Sequence, residues 1–490
     1  MRVGVRRPAY DRRTLRPGIV HIGVGAFHRA HQAAFTEDAL GHHPSSAGPA
    51  PWGIVGVCPR RADMRDALAP QDGLYTLLER GGERPPRVIG CLTRILVAPE
   101  APDEVVALIA APTTRIVSLT VTEKGHDHDP ATGRLRLDNP DVAHDIAAVG
   151  RAAAARSVIG LLAAGLDARR RAGAEPITVI SCDNLPANGR LLRGLVGEFA
   201  QAARPGLGPW LDDAVGFPCT MVDRIVPATT DADRAAAAAA LGLEDQGVVV
   251  AEPFRQWVIE DDFRAGRPEW DAAGAELVAD VAPFEEMKLR LLNAAHSALA
   301  YLGFLAGHRY IRDAVADPPF VRMVQALHAE VIPTLRTPSG TDLAAYCRTL
   351  IRRFANPGIA HETRQIAMDG SQKLPQRLLG SVRDRLRTGA SVEALALAVA
   401  GWMRYATGID EAGDAFPVAD PMAARLAETA AKAGRDAEAL ARGYLGIESI
   451  FGADLPMATP FVDAVRRALA DLLTDGTRAT LTSRWGNANG

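Results

Sequence analysis

The chain has 490 residues, a length that suggests two or three domains. Its 48% hydrophobic and 23% charged residues are typical of a globular protein, and a net charge of −3 argues against binding to nucleic acid or to an acidic membrane surface. The apolar runs are too short to span a bilayer, and residues 1–16 lack the apolar core of a secretory signal. Five scattered cysteines, none in a C-x-x-C pair, indicate neither a disulfide framework nor a cysteine zinc site and fit a reducing cytoplasm.

The first predicted element is a short apolar strand at residues 19–22, which leads into a glycine turn at residues 23–28 and a helix at residues 29–40. In a dinucleotide-binding fold the first glycine of such a turn makes the bend, and the second lets the backbone approach the pyrophosphate. A glycine turn in any α/β protein is the alternative, because His28 replaces the third glycine of the usual G-x-G-x-x-G pattern. We predict that four residues of this turn bind the cofactor: Gly23, Gly25, Phe27 and His28.

The second predicted strand, residues 52–57, is followed by Arg60, Arg61 and Asp63. An acidic side chain after this strand binds the ribose hydroxyls of NAD, and Asp63 is predicted to do so. The two arginines could instead accept the 2′-phosphate of NADP, so NADP is not excluded. The alternative for Asp63 is a surface acid that opens the next helix, residues 61–68.

Two further predicted strands, at residues 115–121 and 176–181, end in polar residues. Polar side chains at the carboxyl end of a parallel strand lie at the ligand crevice of an open α/β sheet. Thr122 and Glu123 follow the first of these strands and are predicted to contact the cofactor. Asn184 follows the second and is a candidate ligand of substrate or cofactor, unless it satisfies the backbone of its own turn.

Three smaller predictions concern the rest of the first domain. Asn188 or Gly189 is predicted to cap the helix that follows the fourth strand. Asp223 and Arg224 are predicted to form a structural polar network rather than a catalytic pair. Residues 252–261 mix polar and apolar side chains and are predicted to form an edge strand.

From Pro283 onward the alternation of strands and helices gives way to helices almost throughout. We therefore predict an α/β dinucleotide-binding domain at residues 1–282 and a mostly α-helical catalytic and substrate-binding domain at residues 283–490. The helices predicted in the second domain are residues 285–305, 319–331, 343–354, 375–387, 392–405, 436–445 and 460–473.

The predicted helix at residues 285–305 carries the candidate reaction centre. Lys288, Asn293 and His296 are spaced i, i+5 and i+8 and fall within an arc of roughly 140°. Only four of the 55 Lys and Arg residues are lysines. Because Arg stays protonated whereas a buried Lys can titrate at about pH 7–8, Lys288 is the candidate general acid/base. The alternative is a lysine that extends from an amphipathic helix into solvent.

Outside that helix, Arg364 and Lys373 are candidates for binding an anionic or hydroxyl-rich substrate, unless they are ordinary surface and helix-end charges. No H-E-x-x-H motif, acidic cluster or Cys/His pair indicates a metal, and no G-x-S-x-G motif indicates a serine hydrolase. A dehydrogenase without zinc needs another group to move the alcohol proton, and Lys288 can supply it.

Several motifs resemble those of the polyol-specific long-chain dehydrogenases, the family that includes the mannitol 2-dehydrogenases, and the resemblance covers residues 18–473. The motifs are GVGAFHRAHQ at residues 23–32, TEKG at 122–125, SCDNLPANG at 181–189, FPCTMVDRIVP at 217–227, EPFRQWVIE at 252–260 and MKLRLLNAAH at 287–296. The fructuronate reductase branch of the family is the most similar in three segments, at residues 217–227, 365–379 and 401–405.

The resemblance implies a metal-independent, usually monomeric NAD(P) enzyme with an N-terminal Rossmann-type domain and a mostly helical C-terminal domain. It implies Lys288 as general acid/base, Asn184 and Asn293 as hydrogen-bond partners of the reacting oxygen, and His296 as the residue that orients the substrate. The implied reaction interconverts D-fructuronate and D-mannonate with NAD, and fructose with mannitol is the alternative pair. A non-catalytic nucleotide sensor on the same fold is the alternative of a different class.

Overall fold

A computed structural model describes residues 4–43, 48, 50–82, 84–130, 132–148 and 155–486. The chain divides into two compact units, Met1–Ala282 and Pro283–Gly490. The extended strands of the described residues belong to the first unit, and the second unit is built from helices. No helix within the described ranges is long and apolar enough to cross a membrane.

The first unit is organised around one parallel sheet. The strands of its described residues are β1 (Pro17–Ile22), β2 (Gly53–Cys58), β3 (Tyr75–Glu79), β4 (Arg87–Ile89), β5 (Leu92–Val97), β6 (Ile116–Leu119), β7 (Ile177–Ser181), β8 (Val215–Gly216), β9 (Thr220–Asp223), β10 (Val249–Ala251), β11 (Gln256–Glu260) and β12 (Glu276–Val278). Six of them pair in parallel in the order β5-β2-β1-β6-β7-β8. The strand order reverses between β1 and β6, and open α/β sheets bind ligands at the carboxyl ends of strands at such a point. The predicted Rossmann-type arrangement is confirmed.

Both faces of the parallel sheet are buried. Neighbouring residues Ile19 and Val20 of β1 belong to two different hydrophobic clusters, as do Ile54 and Val57 of β2. Successive side chains of a strand point to opposite faces, so each cluster covers one face. Each of these side chains is almost completely buried, which contributes about 1.5–3 kcal/mol per side chain relative to an exposed one. Burial on both faces explains the near-continuous apolar runs of these strands.

Two three-stranded sheets, β10-β3-β4 and β12-β11-β9, complete the first unit. Strand β11 lies in the middle of its sheet, antiparallel to β9 and parallel to β12. The prediction of an edge strand at residues 252–261 is therefore wrong. Only the end residues of β11, Gln256 and Glu260, are half-buried, and between them Trp257 packs fully buried against Trp270, with ring centroids 4.6 Å apart.

The helices of the first unit pack around these sheets. They are α1 (Ala26–Ala30), α2 (Gln32–His42), α3 (Asp63–Leu68), α4 (Pro102–Ala110), α5 (Pro140–Ala147), α6 (Val158–Arg171), α7 (Asn188–Ala203), α8 (Leu207–Ala214) and α9 (Asp231–Leu241). The helix predicted at residues 29–40 is broken at His31, whose φ of −119° and ψ of −90° are not helical. Neither Asn188 nor Gly189 caps α7: both lie inside the helix, and the amide of Asn188 bonds to Thr220 instead.

The second unit consists of packed helices. They are α10 (Ala282–Met287), α11 (Ala294–Leu305), α12 (Ile311–Ala316), α13 (Pro318–Val331), α14 (Leu343–Phe354), α15 (Thr363–Ala367), α16 (Gly370–Leu374), α17 (Gly380–Arg387), α18 (Glu393–Ala406), α19 (Ala423–Ala433), α20 (Ala437–Leu445), α21 (Glu448–Phe451), α22 (Thr459–Thr474) and α23 (Thr477–Trp485). The mostly helical C-terminal part of the predicted fold class is confirmed.

Two π-helical segments, Lys288–Asn293 and Pro375–Leu379, interrupt helices of the second unit. The first separates α10 from α11, so the prediction of one continuous α-helix at residues 285–305 is wrong. The second replaces the first part of the helix predicted at residues 375–387. Pro375 lacks a backbone N–H and cannot complete an α-helical hydrogen bond there, which accounts for the second irregularity. Nothing in the sequence explains the first.

Candidate functional site

The turn after β1 contains two glycines under different constraints. Gly23 has φ +101°, and a Cβ there would lie 2.0 Å from the carbonyl oxygen of Thr120, so only glycine fits. Gly25 has an ordinary φ of −80°, and the first described atom that a Cβ there would meet is 4.0 Å away. The space in front of Gly25 is therefore open to a ligand.

A cleft of about 560 Å³ lies at this turn and extends to the residues that follow β2 and β6. Asp63 lies at its edge, where its side chain is 64% exposed and pairs with Arg61 at 3.1 Å. The charged residues that line the cleft are Arg60, Arg61, Lys124, Arg156 and Asp63. A lining with four cations and one carboxylate suits a ligand with a pyrophosphate. Four residues predicted to bind the cofactor line the cleft: Gly23, Gly25, Asp63 and Thr122.

The other residues predicted to bind the cofactor lie elsewhere or outside the description. His28 is completely buried and stacked on His21, with ring centroids 3.4 Å apart, and burial holds its pKa well below the usual value. Phe27 is half-buried and stacked on His31 at 4.9 Å. Neither residue is among those that line the cleft, and their role toward the cofactor stays a prediction. The side chain of Glu123 lies outside the described part of the chain.

The turn after β6 is held by a carboxylate that sequence reasoning did not single out. The backbone N–H groups of Val121 and Thr122 each donate to Asp183 Oδ1 over 2.9 Å. His126 Nε2 lies 2.7 Å from the other carboxylate oxygen, and Asp183 and His126 are both buried. Thr122 has φ +70° and ψ 163°, a conformation that a β-branched residue rarely adopts. The only sequence signal was the position of Asp183 next to Asn184.

Asn184 occupies the exposed first part of the turn after β7. The turn is held at its far end by the buried amide of Asn188, which donates to the carbonyl oxygens of Asp183 and Thr220 and accepts from the backbone N–H of Thr220. The backbone around Asn184 is therefore fixed by its neighbours. The role of Asn184 toward substrate or cofactor stays a prediction.

In the second unit, Lys288 and Asn293 are the first and last residues of the first π-helical segment. A π-helix joins residues i and i+5 by backbone hydrogen bonds, so these two residues lie one turn apart on the same side. Lys288 is half-buried, and Asn293 is 8% exposed. The π segment thus brings the two residues closer in angle than the predicted α-helix would, and such segments are frequent at functional sites.

His296 lies one turn beyond Asn293, in a buried and cationic environment. Its ring stacks on Phe354 at 5.2 Å and contacts the edge of His361 at 4.7 Å, measured between centroids. Burial first, and then electrostatic repulsion from His361 and from the cations Arg377, Arg353 and Lys373, hold its pKa well below the usual value. The imidazole is therefore neutral at ordinary pH. Its buried Nε2 has no hydrogen-bond partner among the described residues, which suits a contact with a ligand.

The three cations near His296 are Arg353, Lys373 and Arg377, and Lys373 was predicted from the sequence to bind the substrate. Lys373 is half-buried, and its ammonium donates to the carbonyl oxygens of Ile366 and Met368. Arg377, on the second π segment, donates to Ser297 Oγ at 3.0 Å and to the carbonyl oxygen of Asn293 at 3.4 Å.

Sequence reasoning missed Arg377, Arg353 and His361. Lys373 also lowers the pKa of His361, which burial brings to about 4. Arg364 is exposed and lies over the ring of Phe304 at 5.8 Å, and it is not among the groups that perturb His296 most strongly.

No group of three or more metal-ligating side chains occurs within the described residues. The strand order, the glycine turn and the cation-lined cleft define the first unit as a dinucleotide-binding domain of the Rossmann type. Residues 17–272 match the family model for the mannitol dehydrogenase Rossmann domain, and residues 280–473 match that for the mannitol dehydrogenase C-terminal domain. The chain belongs to the mannitol dehydrogenase family.

Named relatives cover almost the whole chain. D-Mannonate oxidoreductase of Escherichia coli is 47% identical over 97% of this chain and 97% of its own length. Mannitol 2-dehydrogenase of Phaeosphaeria nodorum is 41% identical over 97% of this chain and 82% of its own length. Among solved structures, Pseudomonas fluorescens mannitol 2-dehydrogenase in complex with NAD and D-mannitol is 38% identical, covers 99% of this chain and 98% of its own, and has a TM-score of 0.85.

These similarities confirm the predicted family and the prediction of an oxidoreductase. The solved relative with bound NAD also bears out the expectation of a nicotinamide dinucleotide cofactor for this family. The relatives divide between a D-mannonate oxidoreductase and mannitol 2-dehydrogenases, so membership of the family leaves the choice of substrate open.

Proposed function

We propose that the protein interconverts D-fructuronate and D-mannonate with NAD as cofactor. The observation that carries the proposal is the set of cations around His296: Arg377 contacts Ser297 and the carbonyl oxygen of Asn293, and the charges of Arg353, Lys373 and Arg377 all lower the pKa of the imidazole. A cationic environment favours a substrate with a carboxylate over a neutral sugar, because charge-assisted contacts are stronger than neutral ones. The 47% identity to a D-mannonate oxidoreductase supports the same choice.

The residues of the cleft fit the proposed cofactor. The open space before Gly25 allows close approach of a pyrophosphate, and the four lining cations complement its charge. We assign the ribose hydroxyls to Asp63, with Arg60 and Arg61 available for the 2′-phosphate of NADP. When bound, the nicotinamide supplies or accepts the hydride.

Lys288 is the proposed general acid/base. In the reductive direction the ketone carbon gains a hydride and the ketone oxygen gains the proton of the Lys288 ammonium, which solvent then replaces; oxidation reverses each transfer. The amide of Asn293 is proposed to donate a hydrogen bond to the same oxygen as negative charge develops on it. The resemblance assigns a similar contact to Asn184, and that assignment stays a prediction.

His296 is proposed to orient the substrate rather than to move the proton. An imidazole whose pKa lies well below the usual value is a weak base and is not protonated at neutral pH. Its Nε2, which has no hydrogen-bond partner in the part of the chain that the structure describes, can form a hydrogen bond with a substrate hydroxyl. This division of roles assigns the proton transfer to Lys288.

The substrate carboxylate is proposed to bind Lys373 and Arg377. Both cations act on His296, whereas Arg364 lies over Phe304 and is the weaker candidate.

We further propose a monomer in the cytoplasm, which agrees with five cysteines that form no disulfide. Light scattering of the purified protein checks the monomer.

The test is NADH consumption by the purified protein with D-fructuronate and D-fructose side by side, repeated with NADPH. The proposal predicts a much higher kcat/KM for fructuronate than for fructose. The opposite preference would establish a mannitol-type dehydrogenase, the function favoured by the solved relative that binds D-mannitol. A protein that binds NADH and is inactive on both sugars would favour a nucleotide sensor.

A further inference from the structure

We propose that Asp183 is a positioning residue for the cofactor: its carboxylate, braced by His126, holds Thr122 in the conformation that shapes the cofactor cleft. This inference rests on the proposed binding of a nicotinamide dinucleotide in that cleft. It does not depend on which sugar is the substrate.

The hydrogen bonds of Asp183 converge on one piece of backbone. Oδ1 accepts the N–H groups of Val121 and Thr122, both at 2.9 Å, and Oδ2 lies 3.2 Å from the N–H of Val121. His126 Nε2 is 2.7 Å from Oδ2. Asp183 is 5% exposed and His126 is 1% exposed, so water does not compete for these bonds.

The conformation that Asp183 holds is unfavourable for the residue that adopts it. Thr122 has φ +70°, and a β-branched side chain at positive φ persists only where its surroundings enforce it. Thr122 lines the cleft together with Gly23 and Gly25, across the point where the strand order reverses. Strain at a ligand-facing residue, enforced by a buried carboxylate, is the pattern expected of a preorganised binding surface.

The same residue also connects two turns. Asp183 begins the turn after β7 that carries Asn184, and its own carbonyl oxygen accepts from the amide of Asn188. Its side chain meanwhile holds the turn after β6. Asp183 thus links the turns that follow two neighbouring parallel strands, β6 and β7.

The first experiment compares Asp183→Asn with Asp245→Asn. Asp245 is a matched control, because it is also buried and accepts two backbone N–H groups, but the residues that donate them, Thr76 and Gly247, do not line the cleft. NADH binding is measured by fluorescence titration without any sugar. We expect the Kd of Asp183→Asn to rise on the order of tenfold to a hundredfold, the loss expected for bonds to a charged acceptor. Asp245→Asn should bind NADH normally.

The second experiment repeats Asp183→Asn in a Thr122→Gly background. Glycine adopts positive φ freely, so the backbone at position 122 depends less on the bonds to Asp183. The rise in Kd for NADH caused by Asp183→Asn should therefore shrink severalfold in this background. An equal rise in both backgrounds, or a Kd that Asp183→Asn leaves unchanged, would overturn the proposal. If Asp183 had only a structural role, Tm would fall in both aspartate variants and the Kd for NADH would be the same in both.

If Asp183→Asn does not fold, His126→Gln provides the same test, because it removes the contact of His126 with the Asp183 carboxylate. It should raise the Kd for NADH by a smaller factor while kcat at saturating NADH changes little, and normal NADH affinity in that variant would contradict the proposal. Failure of the substrate assignment has a different signature, because inactivity on fructuronate leaves NADH titrations unaffected. The two proposals can therefore fail separately.

Discussion

The two units carry their proposed functional groups on opposite kinds of backbone irregularity. In the first unit, the cleft is formed by tight turns at strand ends, with positive φ at Gly23 and Thr122. In the second, Lys288 and Asn293 are carried by a helical turn wider than an α-helix. Tight turns bring the backbone close to a ligand, whereas a widened turn aligns two side chains five residues apart.

A buried histidine supports each irregularity in the same way. His21 Nε2 is 3.0 Å from the carbonyl oxygen of Gly23, and His328 Nε2 is 3.2 Å from that of Leu291 in the π segment. A carbonyl oxygen only accepts, so Nε2 carries the proton in both imidazoles. Both units thus hold irregular backbone in the same way, with a neutral histidine that donates to a carbonyl oxygen of the turn.

The largest expected effect comes from the π segment of the second unit. Lys288→Arg keeps the charge but replaces a group that can release its proton with one that cannot. We expect kcat to fall roughly 10²- to 10⁴-fold while the Kd for NADH stays the same. Lys432→Arg is the matched control, because Lys432 is exposed and pairs with Glu428. Unchanged turnover in Lys288→Arg would remove Lys288 from the chemistry.

The glycine turn of the first unit should respond differently at its two glycines. Gly25→Ala places a methyl group in open space, so Tm should hold while the Kd for NADH rises about tenfold to a hundredfold. Gly23→Ala meets the carbonyl oxygen of Thr120 and a positive φ, and should destabilise the fold by more than about 1 kcal/mol. Thermal unfolding and NADH titration together separate the two. Normal NADH affinity in Gly25→Ala would place the cofactor elsewhere.

The smallest expected effect concerns pH. Burial lowers the pKa of His21 and of His328 to about 4, from 6.5. Below pH 6.5 these histidines are therefore protonated in the unfolded chain but not in the folded chain. Their contribution to the stability is complete above pH 6.5 and is lost as the pH falls from 6.5 to 4. Tm should drop by roughly a few degrees per histidine across that window. His21→Gln and His328→Gln should each make Tm less dependent on pH between 4 and 6.5. A wild-type Tm that does not change over this range would contradict the conclusion that the two buried histidines are neutral.

The sequence predicted those parts of the site that depend on local pattern. Apolar runs and glycines located β1 and its turn, because a buried strand and a tight bend leave composition signals. The change from alternating strand and helix patterns to helical patterns at Pro283 likewise indicated the helical unit. The spacing of Lys288, Asn293 and His296 singled out one stretch of that unit, although as an α-helix.

The remaining features depend on tertiary structure. The π segment at Lys288–Asn293 changes hydrogen-bond partners without any proline or glycine to signal it. Asp183 acts on the turn after β6 from more than 60 residues away in the chain, and Arg377 reaches Ser297 from the second π segment. His28 occupied a motif position that suggests ligand contact but is buried against His21. Such pairings are set by packing, which periodicity does not encode.

The proposed selection of a sugar acid by cations of the second unit can be measured in the variant Lys373→Met. The measured quantity is the ratio of kcat/KM for D-fructuronate to kcat/KM for D-fructose, with Arg364→Met as the comparison variant. We predict that the ratio falls about tenfold to a hundredfold in Lys373→Met, through a higher KM for fructuronate, and changes little in Arg364→Met. A ratio that stays at the wild-type value in Lys373→Met would contradict the claim.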